Sequence, residues 1–262
     1  MRERLTKVKI EAATLAGGEV NQDYYAYGET YALVLDGASS FLPEQTSIDA
    51  VTYVKALGEA LAEKLECCAL SELSEIVVLS IEEVAARYGL VEESAPNSTV
   101  VIAKWNRKEL ATYALGDSSC LIFDNNGVNN ITDSRISKFG NEVRDQYKNR
   151  LLAGFGFDEE HKKLLNKLQI IQKNFRNVER GYWIAGSLSK AGKHGVNIRF
   201  SLINVEKVVL CTDGGLSSFN SDKNNLKQMI LERHRMEEAD SDGSSMPRSK
   251  MHDDKTIVLV EF

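Results

Sequence analysis

The sequence predicts an α+β fold in which sheets and helices form separate layers. Short β-branched or apolar runs bounded by turn residues recur near both ends and in the middle of the 262-residue chain, as strands do. Two stretches between the early and central runs repeat apolar residues at helical spacing. Strands at both ends with helix pairs between them favour a layered sandwich.

Seven strands are predicted from these runs. They lie roughly at 5–13, 31–35, 98–104, 110–115, 119–123, 207–212 and 255–261. The short connections NRK and GDS join the three central runs and favour antiparallel neighbours. In this interpretation Gly116-Asp117-Ser118 is a hairpin turn.

Four helices are predicted, at 45–66, 71–88, 158–175 and 222–236. Leu57, Leu61 and Leu65 illustrate the apolar stripe of the first. Residues 237–254 are polar, contain Gly, Ser and Pro, and indicate a mobile loop before the last strand. No linker divides the chain, so residues 1–262 are expected to form a single domain.

Composition excludes several classes of protein. The chain has 32 Lys and Arg against 38 Asp and Glu, a net charge of −6, which does not favour nucleic acid or anionic membranes. No stretch approaches the ~20 apolar residues of a membrane helix, and the N-terminus does not resemble a signal peptide. The four cysteines lack C-x-x-C spacing, so no structural zinc site is expected. Cys120 and Cys211 are expected to be buried, and the adjacent Cys67 and Cys68 end a helix and suggest no disulfide framework. A reducing, cytoplasmic location is therefore expected.

Aspartates at strand ends are the informative feature. Asp36 and Asp213 follow apolar strands and precede glycine, and Asp117 lies between two strands. Asp253 immediately precedes the last strand, and Asp23 lies near the first. Each Asp-Gly pair alone is also explained by a simple turn.

A chance set of five carboxylates at strand ends is harder to accept. If they converge, each pair at 4 Å repels by about 4 kcal/mol in an effective dielectric near 20. Bound metal removes that repulsion, and all-oxygen ligands select Mg²⁺ or Mn²⁺. Two such ions about 4 Å apart can clamp a phosphoryl group and activate water.

Six motifs occur in the order found in one known family. They are NQD at 21–23, LVLDGASS at 33–40, STVVIA at 98–103, YALGDSS at 113–119, VVLCTDGG at 208–215 and DDKTIVLV at 253–260. The chain thus resembles a divergent, bacterial-like, metal-dependent serine/threonine phosphatase of type 2C. The resemblance implies a four-layer α/β/β/α sandwich with two central antiparallel sheets. It also implies a binuclear Mn²⁺/Mg²⁺ site that hydrolyses phosphoserine and phosphothreonine in proteins.

The resemblance also implies ligand roles. Asp36 would bridge both ions and the Gly37 carbonyl would bind one. The other ion would be held by Asp213 and Asp253, while Asp23 acts mainly through coordinated water. Asp117 matches a residue that binds a weaker third ion in some members, and a long insert at 125–206 would lie near the site.

Three departures from the family pattern stand out. Gly18 replaces an Arg that grips the substrate phosphate, and Ala38 replaces a His proposed as general acid. Asp254 stands where Asn is common. Losing the Arg removes a bidentate anchor, and losing the acid costs roughly 10²–10⁴ in rate.

Three functions therefore stay open. The first is hydrolysis of a phosphoprotein substrate, and the second is a silent binding or regulatory module that keeps the metal site. A phosphatase of the haloacid dehalogenase type is disfavoured because it needs Asp-x-Asp, whereas Asp36 is followed by Gly37 and Ala38. The sequence leaves the oligomeric state open.

A few other side chains near these segments are considered as possible members of the site. His194 and His252 are interpreted as surface residues, and Tyr182 and Trp183 as core. Three cations are assigned to a solvated face, although they could supply the missing positive charge: Lys190, Lys193 and Arg199.

Overall fold

The computed structural model describes residues 8–67, 72–223 and 225–262, which contain eleven strands and six α-helices. The strands are β1 (Lys9–Leu15), β2 (Asp23–Tyr27), β3 (Tyr31–Ala38), β4 (Asn97–Ser98), β5 (Val100–Trp105), β6 (Glu109–Leu115), β7 (Ser119–Asp124), β8 (Gly127–Ile131), β9 (Val196–Ser201), β10 (Val205–Cys211) and β11 (Lys255–Glu261). The helices are α1 (Ala50–Cys67), α2 (Leu73–Tyr88), α3 (Asn141–Leu152), α4 (Glu159–Lys173), α5 (Asp213–Leu216) and α6 (Leu226–Ala239).

The strands form two antiparallel sheets that pack face to face. One has the order β1-β11-β10-β7-β8; the other has the order β2-β3-β5-β6-β9, with β4 paired to β3. Their facing sides enclose an apolar core that includes Val34, Val101 and Val208. Helices α1 and α2 cover the outer face of the second sheet, and α6 covers the first. The predicted four-layer α/β/β/α sandwich is confirmed.

Strand β3 shows why the apolar runs form central strands. Leu33 and Leu35 pack towards the helices, while Ala32 and Val34 face the other sheet. Both faces are therefore buried, which explains the unbroken run YALVL instead of an alternating pattern.

Three strands at sheet edges were not predicted. Strands β2, β8 and β9 lie at or next to sheet edges, and β8 (GVNNI) exposes four of its five residues. Helix α3 is rich in charged residues and was also missed. The first helix begins at Ala50 and not at 45, because Asp49 Oδ1 accepts a hydrogen bond from the Thr52 amide at 2.7 Å, as an N-cap does.

The prediction that GDS joins two neighbouring strands is wrong. Strand β6 pairs with β5 and β9, whereas β7 pairs with β10 and β8 in the other sheet. Because β9 occupies the free side of β6, the chain crosses between sheets at Gly116, where φ is 83°. Asp117 therefore stands where the two sheets meet at one end.

The segment 125–206 is more than a peripheral insert, because β8 and β9 complete the two sheets. Between them, α3 and α4 pack on each other through Val143, Leu151 and Leu168. In the predicted loop 237–254, helix α6 continues to Ala239, and residues 240–254 form neither helix nor strand. The mobility of that loop stays a prediction.

The cysteine predictions agree with the structure where it can be compared. Cys120 and Cys211 are fully buried and Cys67 ends α1 in an exposed position. Cys68, residues 5–7 of the first predicted strand, residue 71 and residue 224 lie outside the described ranges. Among the helices of those ranges, none is long and apolar enough to cross a membrane.

Candidate metal centre

Asp23 and Asp36 face each other across two paired strands. They are directly opposite in the antiparallel register of β2 and β3, which places both side chains on one face with Cβ atoms about 5 Å apart. Thr99 fixes Asp36 further: its Oγ1 accepts from the Asp36 amide at 3.1 Å, and its amide donates to the Asp36 carbonyl at 2.9 Å. Strand pairing therefore sets the spacing of these two carboxylates.

Asp213 and Asp253 come from the other sheet. Asp213 opens α5 directly after β10, and Asp253 lies two residues before β11, which pairs with β10. Thr212 links the sheets, because its hydroxyl donates to Asp23 Oδ2 at 3.0 Å and accepts from the Thr256 amide at 3.1 Å. Both sheets therefore supply carboxylates to one site.

Asp117 joins this group from the crossing between the sheets. The neighbouring Ser118 hydroxyl is hydrogen-bonded to Thr99 Oγ1 at 2.6 Å, and Thr99 also holds Asp36. Burial raises the pKa of Asp117, and its own charge contributes to the raised pKa values of Asp36 and Asp213. The charges of the other four predicted carboxylates thus all act on Asp36.

The convergence is unfavourable for free carboxylates. Burial, followed by the charges of Asp213 and Asp23, raises the pKa of Asp36 well above its usual value. Burial also raises the pKa of Asp23 to about 7 and that of Asp213 to about 6, and the charge of Asp253 adds to both. Opposite charge placed among these groups would favour their ionised forms.

The donor set fits hard divalent cations. Within the described residues, Asp23 Oδ1 is buried without a hydrogen-bond partner, which costs free energy unless something binds it. The remaining donors are carboxylate and backbone oxygens, the ligands that Mg²⁺ and Mn²⁺ prefer. A cation here would both satisfy that oxygen and remove the repulsion.

The glycines after Asp36 and Asp213 are required by close packing and not by turns. Gly37 continues β3, and a Cβ there would lie 2.5 Å from the Gln22 carbonyl oxygen. Gly214 lies in α5, where a Cβ would lie 2.1 Å from the Asp254 carbonyl oxygen. Neither has a positive φ. The turn interpretation of both Asp-Gly pairs is therefore wrong.

Asp254 has a structural role that the sequence did not suggest. Its Oδ1 accepts from the Gly17 amide and its Oδ2 from the Gln22 amide, both at 2.7 Å. An asparagine could accept only through one oxygen. Asp254 therefore anchors both ends of the segment that carries Gly18, where an added Cβ would meet no atom within 4 Å.

Lys250 is a further residue that the sequence did not single out. Its ammonium lies 2.8 Å from Asp253 Oδ1, although its side chain is 63% exposed. Desolvation acts to lower the pKa of Lys250, but the charges of Asp253, Asp36 and Asp213 raise it above its usual value. Its one signal in the sequence is its position three residues before a predicted ligand.

A buried ion pair braces the loop that carries Asp253. Lys255, fully buried, donates to the Asp253 carbonyl at 2.8 Å and pairs with Glu237 Oε2 at 2.8 Å. Glu237 also pairs with Arg233 at 2.9 Å and lies 3.2 Å from His252 Nδ1. The nearby group His234, Glu237 and His252 has the residue types of a metal site, but two cations already neutralise its carboxylate.

The two histidines interpreted as surface residues, His194 and His252, are half-buried. His194 stacks on Trp183 with ring centroids 3.6 Å apart, and His252 stacks on His234 at 4.1 Å. The assignment of Tyr182 and Trp183 to the core is confirmed. The three cations assigned to a solvated face are exposed: Lys190, Lys193 and Arg199.

Solved structures with the same fold are protein phosphatases. A bacterial serine phosphatase aligns with a TM-score of 0.59 at 13% identity, covering 97% of each chain. The catalytic domain of the serine/threonine phosphatase PstP, in complex with two manganese ions, gives 0.57 at 14% identity and 97% of each chain. The serine/threonine phosphatase Stp1 from Staphylococcus aureus gives 0.55 at 13% identity, covering 98% of this chain and 94% of that one.

Sequence comparison identifies the family. No curated protein matched the sequence. The family model described as Protein phosphatase 2C matches residues 12–252, nearly the whole chain. The chain belongs to the protein phosphatase 2C family.

Proposed function

We propose that this chain is a Mn²⁺- or Mg²⁺-dependent phosphatase that hydrolyses phosphoserine and phosphothreonine in proteins. Family membership supports a protein serine/threonine phosphatase. The observation that carries the metal dependence is the meeting of buried carboxylates from both sheets: Asp23 lies opposite Asp36, and the charges of Asp23, Asp213 and Asp253 all act on Asp36. A cytoplasmic phosphoprotein is the proposed substrate.

The ligands divide between strand ends and backbone. Asp36 and the Gly37 carbonyl would hold ions from β3, and Asp213 and Asp253 from the other sheet. Asp23 would act mainly through water, and Asp117 would hold a weaker third ion. Bound cations would supply an activated water and offset negative charge on the phosphoryl oxygens.

The chain's own residues limit the later part of the reaction. Ala38, exposed at the end of β3, cannot donate a proton to a departing alkoxide. p-Nitrophenolate leaves without a proton, whereas a serine alkoxide does not. Activity should therefore be disproportionately low on phosphopeptides relative to p-nitrophenyl phosphate.

A silent module that keeps the metal site is the alternative, and its basis is that Gly18 and Ala38 lack the side chains that the family uses to bind phosphate and to donate a proton. The test is Mn²⁺-dependent hydrolysis of p-nitrophenyl phosphate and of a phosphothreonine peptide. Wild type should be active, Asp213→Asn inactive, and Asp145→Asn, an exposed change on α3, should match wild type. If wild type binds Mn²⁺ but hydrolyses neither substrate, the module replaces the enzyme.

A further inference from the structure

The site has a cage for cations but lacks a side chain at Gly18 to hold the substrate phosphate. Gly18 offers no donor beyond its backbone, and the space beside it is open. A phosphate ester with two negative charges needs positive charge outside the metal cage to set its orientation. Two of the exposed cations considered from sequence already have partners, since Lys190 lies over the Trp183 ring and Arg199 faces Glu109 at 3.9 Å.

Lys250 has the position that such an anchor requires. Its ammonium is 2.8 Å from Asp253 Oδ1 and lies within range of the charges of Asp36 and Asp213. Its side chain is nevertheless 63% exposed, so a ligand from solvent can reach it. It therefore stands at the solvent-exposed edge of the carboxylate cluster.

The backbone on the N-terminal side of Lys250 is held in place. Arg248 donates to Asp240 Oδ2 at 2.6 Å and to the carbonyls of Glu237, Asp240, Met246 and Met251 at 2.8–3.0 Å. The Ser249 carbonyl lies 2.8 Å from Nε2 of His161, a buried residue of α4. The loop therefore presents Lys250 from a fixed base, while its four-carbon side chain keeps its reach.

We propose that Lys250 is the phosphate anchor of this site and binds the phosphoryl oxygens of the substrate in place of the family's arginine. The inference rests on the proposed function. A cation bound by Asp253 would offset the charge that now holds the ammonium. The three donors of Lys250 would then be free to turn to phosphate. Lysine binds phosphate as a point charge, so orientation is less strict than with a bidentate arginine.

The direct test measures binding and not turnover. Inorganic phosphate is titrated calorimetrically into Mn²⁺-loaded wild type and Lys250→Met. Loss of one charge-assisted contact should weaken phosphate binding about tenfold or more. Mn²⁺ affinity should stay equal or increase, because the substitution removes a positive charge beside the cluster.

Lys9→Met is the matched control. Lys9 is also 63% exposed and its ammonium lies 2.7 Å from Glu11 Oε1, but it lies on β1 and pairs with no predicted ligand. Its phosphate affinity should equal that of wild type. Equal weakening in both variants would overturn the proposal, because net charge alone would then explain the effect.

A rescue experiment separates anchoring from a purely electrostatic role. Lys250→Arg should retain phosphate binding, and Gly18→Arg should restore it in Lys250→Met, since the space at Gly18 is open and its φ is not positive. If Lys250→Met leaves phosphate affinity unchanged and only tightens Mn²⁺, Lys250 merely offsets the carboxylates and the proposal fails.

Kinetics distinguish this proposal from the proposed function. In an active enzyme, Lys250→Met should raise KM about equally for p-nitrophenyl phosphate and for a phosphopeptide, because both carry the phosphate. A change confined to the peptide would contradict an anchor for phosphate. If wild type is inactive but phosphate binding still depends on Lys250, the proposed phosphatase activity is wrong, whereas the proposal that Lys250 binds phosphate is supported.

Discussion

The five aspartates, called the cage here, and the two positions beside them that lack the family's side chains, Gly18 and Ala38, called the rim, are held in the fold in different ways. Asp23 and Asp36 are held by strand register, and Thr212 and Thr99 hydrogen-bond to them from neighbouring elements. At the rim, Ala38 is exposed and the position of Gly18 touches nothing that a Cβ would displace. The positions of the cage residues are therefore set by strand pairing and hydrogen bonds, whereas the rim residues face solvent and contribute little to packing.

This contrast explains where the chain departs from its family. A change in the cage removes a ligand of the proposed cations, so its cost is expected in metal binding. A change at the rim alters a solvent-facing side chain and leaves the sheets intact. Metal binding and phosphate handling can consequently diverge at different rates, and each can be tested separately.

The largest effect should come from breaking the cage itself. Asp36→Asn should weaken Mn²⁺ binding by more than about 100-fold, since loss of an outer partner alone costs about 10–100-fold. The metal-free protein should keep its melting temperature, because the change also relieves repulsion with Asp23 and Asp213. Calorimetry and thermal unfolding with and without Mn²⁺ measure both. Equal Mn²⁺ affinity in wild type and variant would rule out this site.

The second-largest effect should come from removing the buried ion pair between Glu237 and Lys255. Glu237→Gln would leave the fully buried Lys255 without its carboxylate partner and should cost about 3 kcal/mol in the free energy of unfolding. Glu159→Gln is the control, because its pair with Lys162 is exposed and should change stability by less than about 0.5 kcal/mol. Denaturant unfolding of the metal-free proteins provides the comparison, and similar losses in both variants would contradict a brace.

A substitution at the rim should increase activity. Ala38→His would add a proton donor at an exposed position and should raise kcat on a phosphothreonine peptide by about 10²-fold or more. Hydrolysis of p-nitrophenyl phosphate should change little, since its leaving group needs no proton. Ala38→Gln, of similar size without an acid, should help neither substrate. Equal gains in kcat on both substrates would contradict a role of the new histidine as proton donor to the leaving group.

The smallest effect is the pH dependence of the metal-free protein. The pKa of Asp23 is raised to about 7 from 3.8, so folding favours its neutral form. That contribution to stability is complete below about pH 4 and is lost as pH rises through about 7. Melting temperatures between these values should therefore fall less for Asp23→Asn than for wild type, and identical pH profiles would contradict the buried carboxyl. Mn²⁺ affinity of wild type should rise over the same interval, because ligands must lose protons.

Much of this organisation was determined by the sequence. Apolar runs such as YALVL are buried on both faces, so their composition alone predicts central strands. The stripe of Leu57, Leu61 and Leu65 likewise predicts α1. Four of the aspartates were identifiable because they border such runs, namely Asp36, Asp117, Asp213 and Asp253, whereas Asp23 was identified through the motif NQD. Polar edge strands such as β8 carry no comparable signal, since solvent accepts almost any polar residue there.

Only the tertiary structure decided how the aspartates at the strand ends come together and which residues surround them. Sequence predicted a hairpin at Asp117, whereas the chain crosses there to the other sheet because β9 takes the place beside β6. The position of Lys250 and the structural role of Asp254 were not predicted, since their partners Asp253, Gly17 and Gln22 meet them through loop packing. Local patterns specify what each segment buries, but contacts between segments far apart in the chain depend on which partners the sheets leave free.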